Sequence, residues 1–168
     1  MGAVRVRLIT PDDYDAVSRL TVEAYRADGQ LEASPDYAKA LADVASRAEA
    51  ADVLVAEIDG VLLGAVTFTL AGGDYAEASR PGEAEFRMLA VDPAAQRRGV
   101  ARALVRACLD RAASLGCSGV AICVRDDNPG AFALYEGFGF ARDTSRDWSP
   151  VPRVKLLGLW IGLPALAK

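Results

Sequence analysis

A glycine at position 99 marks the point where an apolar run, Leu89-Ala90-Val91-Asp92-Pro93, gives way through Gln96-Arg97-Arg98-Gly99-Val100-Ala101 to a helical pattern. The first N–H groups of a helix have no partner within it and carry the positive end of its dipole. With little side-chain bulk at Gly99 and Ala101, that end is open to close backbone approach, and the junction predicts an anion site suited to phosphates. A cluster of Arg97, Arg98, Arg102 and Arg106 adds positive charge, although the same spacing also describes a solvated helix face.

The chemistry open to such a junction is narrowed by what surrounds it. No Gly-Lys-Ser/Thr follows, which argues against metal-assisted phosphoryl transfer. Gly137 and Gly139 resemble half of a dinucleotide fingerprint, but they fall at the end of an expected helix and read as its stop. The chain has no histidine, so histidine triads, histidine general bases and histidine-ligated zinc are excluded. Its three cysteines, Cys108, Cys117 and Cys123, form no Cys-x-x-Cys pair, and neither a disulfide framework nor a metal site is expected.

The net charge of −4 disfavours a nucleic-acid binder. No apolar stretch approaches the roughly 20 residues of a membrane span, and Met1-Gly2-Ala3-Val4-Arg5 lacks a signal peptide's apolar core, so the expected location is cytoplasmic.

Periodicity supplies the elements. Val4 to Ile9 alternates as a strand, and Thr10-Pro11-Asp12-Asp13 then caps a helix with Tyr14, Val17, Leu20, Thr21 and Ala24 inward. Asp28-Gly29 ends it, and Ser34-Pro35-Asp36 opens an alanine-rich helix expected to run to about Ala48. Val53 to Ile58 and Val61 to Leu70 flank Asp59-Gly60 as a hairpin. Residues 71–83 are expected to be a mobile loop that contributes to a substrate pocket. A strand from Glu83 or Ala84 to Val91, a helix from near Gly99 to Gly116, a strand Gly119 to Arg125, a helix from Asn128-Pro129 to Glu136, and closing strands from Phe140 and over Val154 to Ile161 complete the chain.

Three segments in order, Glu85-Phe86-Arg87-Met88-Leu89-Ala90-Val91-Asp92-Pro93, Gln96-Arg97-Arg98-Gly99-Val100-Ala101 and Asn128-Pro129-Gly130-Ala131-Phe132-Ala133-Leu134-Tyr135-Glu136-Gly137-Phe138-Gly139-Phe140, closely resemble the GNAT-type N-acetyltransferase superfamily. They span about residues 83–141. The resemblance implies one α/β domain over residues 1–168, with a mixed, mostly antiparallel central sheet flanked by helices. It also implies direct transfer of an acetyl group from acetyl-CoA, as cosubstrate, to a primary amine of a small molecule or peptide. No nucleic-acid or membrane partner is expected, and a homodimer is compatible with it.

By the same resemblance, the backbone of Leu89, Ala90 and Val91 contacts the acetyl group and pantetheine arm, between two parallel strands that splay apart. Arg97, Arg98, Gly99, Val100, Ala101 and Arg102 hold the pyrophosphate, and Asn128 and Ala131 belong to the second half of the coenzyme site. Tyr135 matches the acid that returns a proton to the leaving thiolate; its alternative is a core tyrosine beside Phe132 and Phe138. Glu85, placed with Arg87 on one strand face and expected in a solvated cleft, is the candidate base; its alternative is a paired carboxylate.

Ribosomal-protein N-terminal acetyltransferases carry a glutamate base where this chain has Cys123, a departure from that subgroup. An apolar strand raises a thiol's pKa, which disfavours Cys123 as a nucleophile. Arg146-Asp147-Trp148-Ser149-Pro150-Val151-Pro152 could line an amine pocket or simply connect strands. A non-catalytic acyl-CoA sensor is the competing function.

Overall fold

The computed structural model describes residues 2–32 and 34–164; Met1, Ala33 and residues 165–168, which the expected 1–168 span includes, lie outside the described residues. In chain order the elements are β1 (Arg5–Leu8), α1 (Tyr14–Ala27), α2 (Tyr37–Ala42), α3 (Val44–Ala50), β2 (Asp52–Ile58), β3 (Val61–Leu70), β4 (Glu83–Val91), α4 (Val100–Ser114), β5 (Gly119–Arg125), α5 (Pro129–Phe138), β6 (Ala141–Arg142), β7 (Trp148–Val151) and β8 (Val154–Gly162). They form a mixed, mostly antiparallel sheet with hydrogen-bond order β1-β2-β3-β4-β5-β8-β6, and β7 pairs with β8. No described helix is long and apolar enough to cross a membrane. Among the described residues, no group of three or more acidic, cysteine or histidine side chains is placed to hold a metal ion.

By contact the chain divides into two compact units, residues 1–68 with 87–108 and residues 69–86 with 109–168. In the first, Val17 and Leu20 of α1 pack with Val44, Val55 and Ala65 in a core whose members are at most 6% exposed. A capping box between Thr10 and Asp13 closes the 3₁₀ turn Pro11–Asp13 that leads into α1, and Arg7 grips Asp13 through two hydrogen bonds of 2.7 and 3.0 Å. Asp59 and Gly60 have φ values of 50° and 80°, the left-handed pair that a tight hairpin turn requires.

The alanine-rich segment is two helices rather than one. Asp43 leaves the helical region with ψ 70°, and its carboxylate accepts from the Ser46 N–H to cap α3. The buried Arg47 donates to the carbonyls of Ala40 and Leu41. Aspartate's preference for a cap outweighs the helix propensity of the alanines around it.

In the second unit, β5 pairs antiparallel with β8 along its whole length, from Gly119↔Gly162 to Arg125↔Leu156. Helix α5 passes through Gly137 and stops at Gly139, where φ is 104°. Gly137 is therefore interior to the helix rather than part of its stop.

Candidate active site

The first unit carries the phosphate-type junction. Beyond β4, the Asp92 N–H donates to the Leu63 carbonyl at 2.8 Å, and the Asp92 side chain caps a short 3₁₀ turn over Pro93–Ala95. Arg97 and Gly99 then adopt left-handed φ values of 64° and 80°, while Arg98 between them does not. Such alternation turns successive N–H groups toward one side, the geometry of an anion-binding nest, here at the start of the 15-residue helix α4.

A Cβ on Gly99 would meet no protein atom within 4 Å, so the space beside that backbone is open to a ligand. Arg97, Arg98 and Arg102 are exposed around it, Ala101 is half-buried, and Val100 is a core residue. These features fit a phosphate-bearing coenzyme.

Val100 is seated by a residue that sequence reading passed over. A Cβ on Gly64 would lie 2.6 Å from Val100 Cγ1 and 3.1 Å from the Ala90 carbonyl oxygen, so β3 admits the start of α4 only where it has no side chain. Along β4, Phe86, Met88 and Ala90 are buried and Arg87, Leu89 and Val91 half-buried. Met88 has φ 56°, a costly left-handed kink for a side-chain-bearing residue, placed immediately before Leu89-Ala90-Val91.

The second unit holds the remaining expected residues. The parallel ladder between β4 and β5 covers only Glu83–Glu85 against Gly119–Ala121, whereas β5 continues along β8 to Arg125. Asn128 caps α5, its Oδ1 accepting from the Ala131 N–H at 3.2 Å. Tyr135 is 8% exposed, with its ring centroid 5.8 Å from those of both Phe86 and Phe140. Two of its ring neighbours are thus Phe86 of β4 and Phe140, just beyond the end of α5.

Glu85 does not stand in a solvated cleft. It is 1% exposed, and its Oε1 accepts from the N–H groups of Glu77, Ala78 and Ser79, each at 2.9 Å, and from the Ser79 hydroxyl at 2.8 Å. Its Oε2 accepts from the Glu77 N–H at 3.1 Å. The physical reason is the turn over 77–79, whose consecutive amide donors need an acceptor once buried.

Glu83, two residues earlier, makes a second anchor. It accepts from Arg146 at 2.7 and 2.9 Å, from the Arg80 N–H at 2.8 Å and from Trp160 Nε1 at 2.9 Å. Burial pulls the Glu83 carboxyl upward, but the Arg146 guanidinium and the other donors outweigh it and hold it below the usual range. Arg146 also donates to the Ala78 carbonyl at 2.7 Å and to Asp143 at 2.9 Å. The loop expected to be mobile is thus tied down at 77–80.

The 146–152 segment is divided in its roles. Arg146 is consumed in this ion pair, and Asp147 accepts from Arg142 and from the Gly158 N–H. Cys123 is half-buried, its Sγ 3.9 Å from the Arg146 carbonyl oxygen. Burial above all, then the charge of Glu85, with Glu77 and Asp147 adding, pushes its thiol up to about 11, while Trp148 acts in the opposite sense. A thiol so placed is a poor nucleophile at neutral pH.

Residues 14–140 match the acetyltransferase (GNAT) family. Over 62 residues the chain is 42% identical to a mycothiol acetyltransferase of Mycobacteroides abscessus, a match covering 37% of this chain and 21% of that relative. The chain therefore spans only about a fifth of the length of that curated relative.

The fold is shared with the ribosomal-protein-S18-alanine N-acetyltransferase of Escherichia coli, at TM-score 0.73 and 23% identity over 99% of this chain and 97% of that one. It is shared too with a putative acetyltransferase of Salmonella typhimurium solved with its cofactor acetyl-CoA, at TM-score 0.70 and 21% identity over 99% and 97%. With both the sequence match and the architecture in agreement, the chain belongs to the acetyltransferase (GNAT) family.

Proposed function

We propose that this chain transfers an acetyl group directly from acetyl-CoA to a primary amine of a small molecule or peptide. The observation that carries the reading is the Arg97–Gly99 nest at the head of α4, with open space beside Gly99. The backbone N–H groups of residues 97–102 and the arginines 97, 98 and 102 would hold the pyrophosphate, with Val100 and Ala101 supplying backbone rather than side-chain contacts. Acetyl-CoA, when bound, supplies the acetyl thioester.

The remaining roles fall to named groups. Backbone N–H groups of Leu89, Ala90 and Val91, beyond the kink at Met88, would receive the acyl carbonyl and stabilise charge developing on its oxygen. Asn128 and Ala131 would contribute from the start of α5. Tyr135 would return a proton to the sulfur, since an ordinary phenol stays protonated at a pH where a thiolate is a good leaving group. Glu85, itself buried and with both oxygens engaged by backbone donors, is read as a positioning carboxylate in place of the base expected from strand alternation.

The test is thiol release from acetyl-CoA across polyamines, amino acids, aminoglycosides and peptides with free N-termini, alongside calorimetric binding of acetyl-CoA. Thiol release dependent on one amine class supports the reading. Tight coenzyme binding with no release across the panel would replace it with a non-catalytic acyl-CoA sensor.

A further inference from the structure

We propose that Gly139 and Phe140 are positioning residues for the Tyr135 hydroxyl: the left-handed turn that stops α5 folds the Phe140 ring back against Tyr135, and together with Phe86 it fixes the direction of the phenol. The inference rests on the acetyl-transfer reading, in which Tyr135 protonates the departing sulfur, and deepens it by naming the groups that hold that donor in place. Every residue it uses lies in the second unit.

A helix fixes where a side chain starts, not where its far end points. The Tyr135 hydroxyl swings on two side-chain torsions, and a proton donor serves only within hydrogen-bond reach of its acceptor. The end of α5 supplies the missing constraint. Gly139 takes φ 104°, its N–H donates to the Glu136 carbonyl at 2.9 Å, and the Phe140 N–H donates to the Tyr135 carbonyl at 3.2 Å. This pair of bonds is a Schellman motif, in which the residue after the left-handed position packs back on the start of the last turn. Here those two residues are Phe140 and Tyr135. A Cβ at Gly139 would meet Ile161 Cδ1 at 3.4 Å, an ordinary contact, so the backbone angle rather than a lack of space reserves the position for glycine.

The rings complete the constraint. The Phe140 centroid lies 5.8 Å from that of Tyr135 at an interplanar angle of 66°. Phe86 of β4 stands 5.8 Å from Tyr135 at 59° and 6.1 Å from Phe140 at 84°. Each ring is thus within the roughly 4.5–7 Å at which tilted and edge-to-face aromatic pairs attract, and the three close a triangle. All three are buried. Close packing leaves the phenol no room to turn unless a neighbouring ring is displaced. In the step served, the carbon–sulfur bond breaks and sulfur takes the phenolic proton; the acceptor nitrogen sheds its proton to water, and the phenolate recovers one from water.

The experiment is a double-mutant cycle on kcat, with one amine identified by thiol release and with folding checked by circular dichroism. Phe140→Leu and Gly139→Val should each lower kcat by about 10- to 10²-fold, the scale of a sub-ångström to 1 Å misplacement, while calorimetric affinity for acetyl-CoA stays at the wild-type value. Gly139→Asn, which tolerates a left-handed backbone, should keep more of kcat than Gly139→Val. In a Tyr135→Phe background neither Phe140→Leu nor Gly139→Val should cost kcat anything further, because the hydroxyl through which they act is gone. Unchanged kcat in the folded variants, or equal fractional losses in the two backgrounds, overturns the inference and leaves the role of Tyr135 standing. Wild-type kcat in Tyr135→Phe itself, where chemistry is rate-limiting, overturns the proton-donor role and this inference with it. A wild type that releases no thiol with any amine overturns the acetyl-transfer reading as a whole.

Discussion

Glu85 accepts the backbone N–H of Glu77 with both of its carboxylate oxygens, at 2.9 and 3.1 Å. The side chain thereby closes a turn eight residues upstream and substitutes for the backbone partners that a loop cannot provide for itself. Glu85→Ala would leave the donors of Glu77, Ala78 and Ser79 without their acceptor and should destabilise the fold by about 3–5 kcal/mol. Glu85→Gln, which keeps one carbonyl oxygen, should lose less. Urea denaturation of the two variants checks the order; equal losses would show that the negative charge alone matters.

Gly99 and Gly64 should fail in different ways. Gly99→Val meets no protein atom but forces a β-branched residue to a φ of 80°, at a cost of about 1–2 kcal/mol, and fills the space where the coenzyme backbone contact is proposed. Its calorimetric affinity for acetyl-CoA should fall by more than its thermal midpoint suggests. Gly64→Ala places a methyl 2.6 Å from Val100 Cγ1 and should destabilise more. Adding Val100→Ala should recover part of that loss, a coupling that a double-mutant cycle measures.

Tyr135→Phe retains the ring that packs on Phe86 and Phe140. If the hydroxyl returns the proton to sulfur, turnover should drop about 10²-fold or more with little change in coenzyme affinity. Wild-type turnover under conditions where chemistry is rate-limiting would make Tyr135 purely a packing residue.

Asp13 should make stability fall in acid. The hydrogen bond from Arg7 is the main cause that lowers its carboxyl from 3.8 to about 2. A depressed carboxylate contributes stability that is complete above its unfolded pKa and disappears as pH falls through the folded one. The contribution, on the order of 1–2 kcal/mol, should therefore vanish between about pH 4 and pH 2. Asp13→Asn should lower stability at pH 7 and remove that part of the acid dependence, as denaturation midpoints across the range would show.

Features written in short-range chemistry were legible in the sequence. The Asp59-Gly60 hairpin, the Thr10 capping box, the Asn128 cap and the Gly99 helix start each depend on a few consecutive residues, and each forms. The split at Asp43 was missed because alanine propensity speaks for a continuous helix while the cap speaks for a break, and the two differ by only about 1 kcal/mol. Gly64 was illegible for another reason, since the atoms that exclude its side chain come from α4 and β4. Glu85 was assigned to the right strand and the wrong environment. Strand alternation gives a face but not what covers it, and the cover here is a loop whose course depends on Arg146, more than sixty residues away.

Arg146 spans the carbonyl of Ala78 and the carboxylate of Glu83, so a single guanidinium measures the length of chain between those two residues. An insertion or deletion at 79–82 would break that measurement and expose a buried ion pair. The 71–76 stretch lies ahead of both anchors. A foreign loop grafted into this scaffold has that stretch as its editable window, and residues 77–83 should stay as they are.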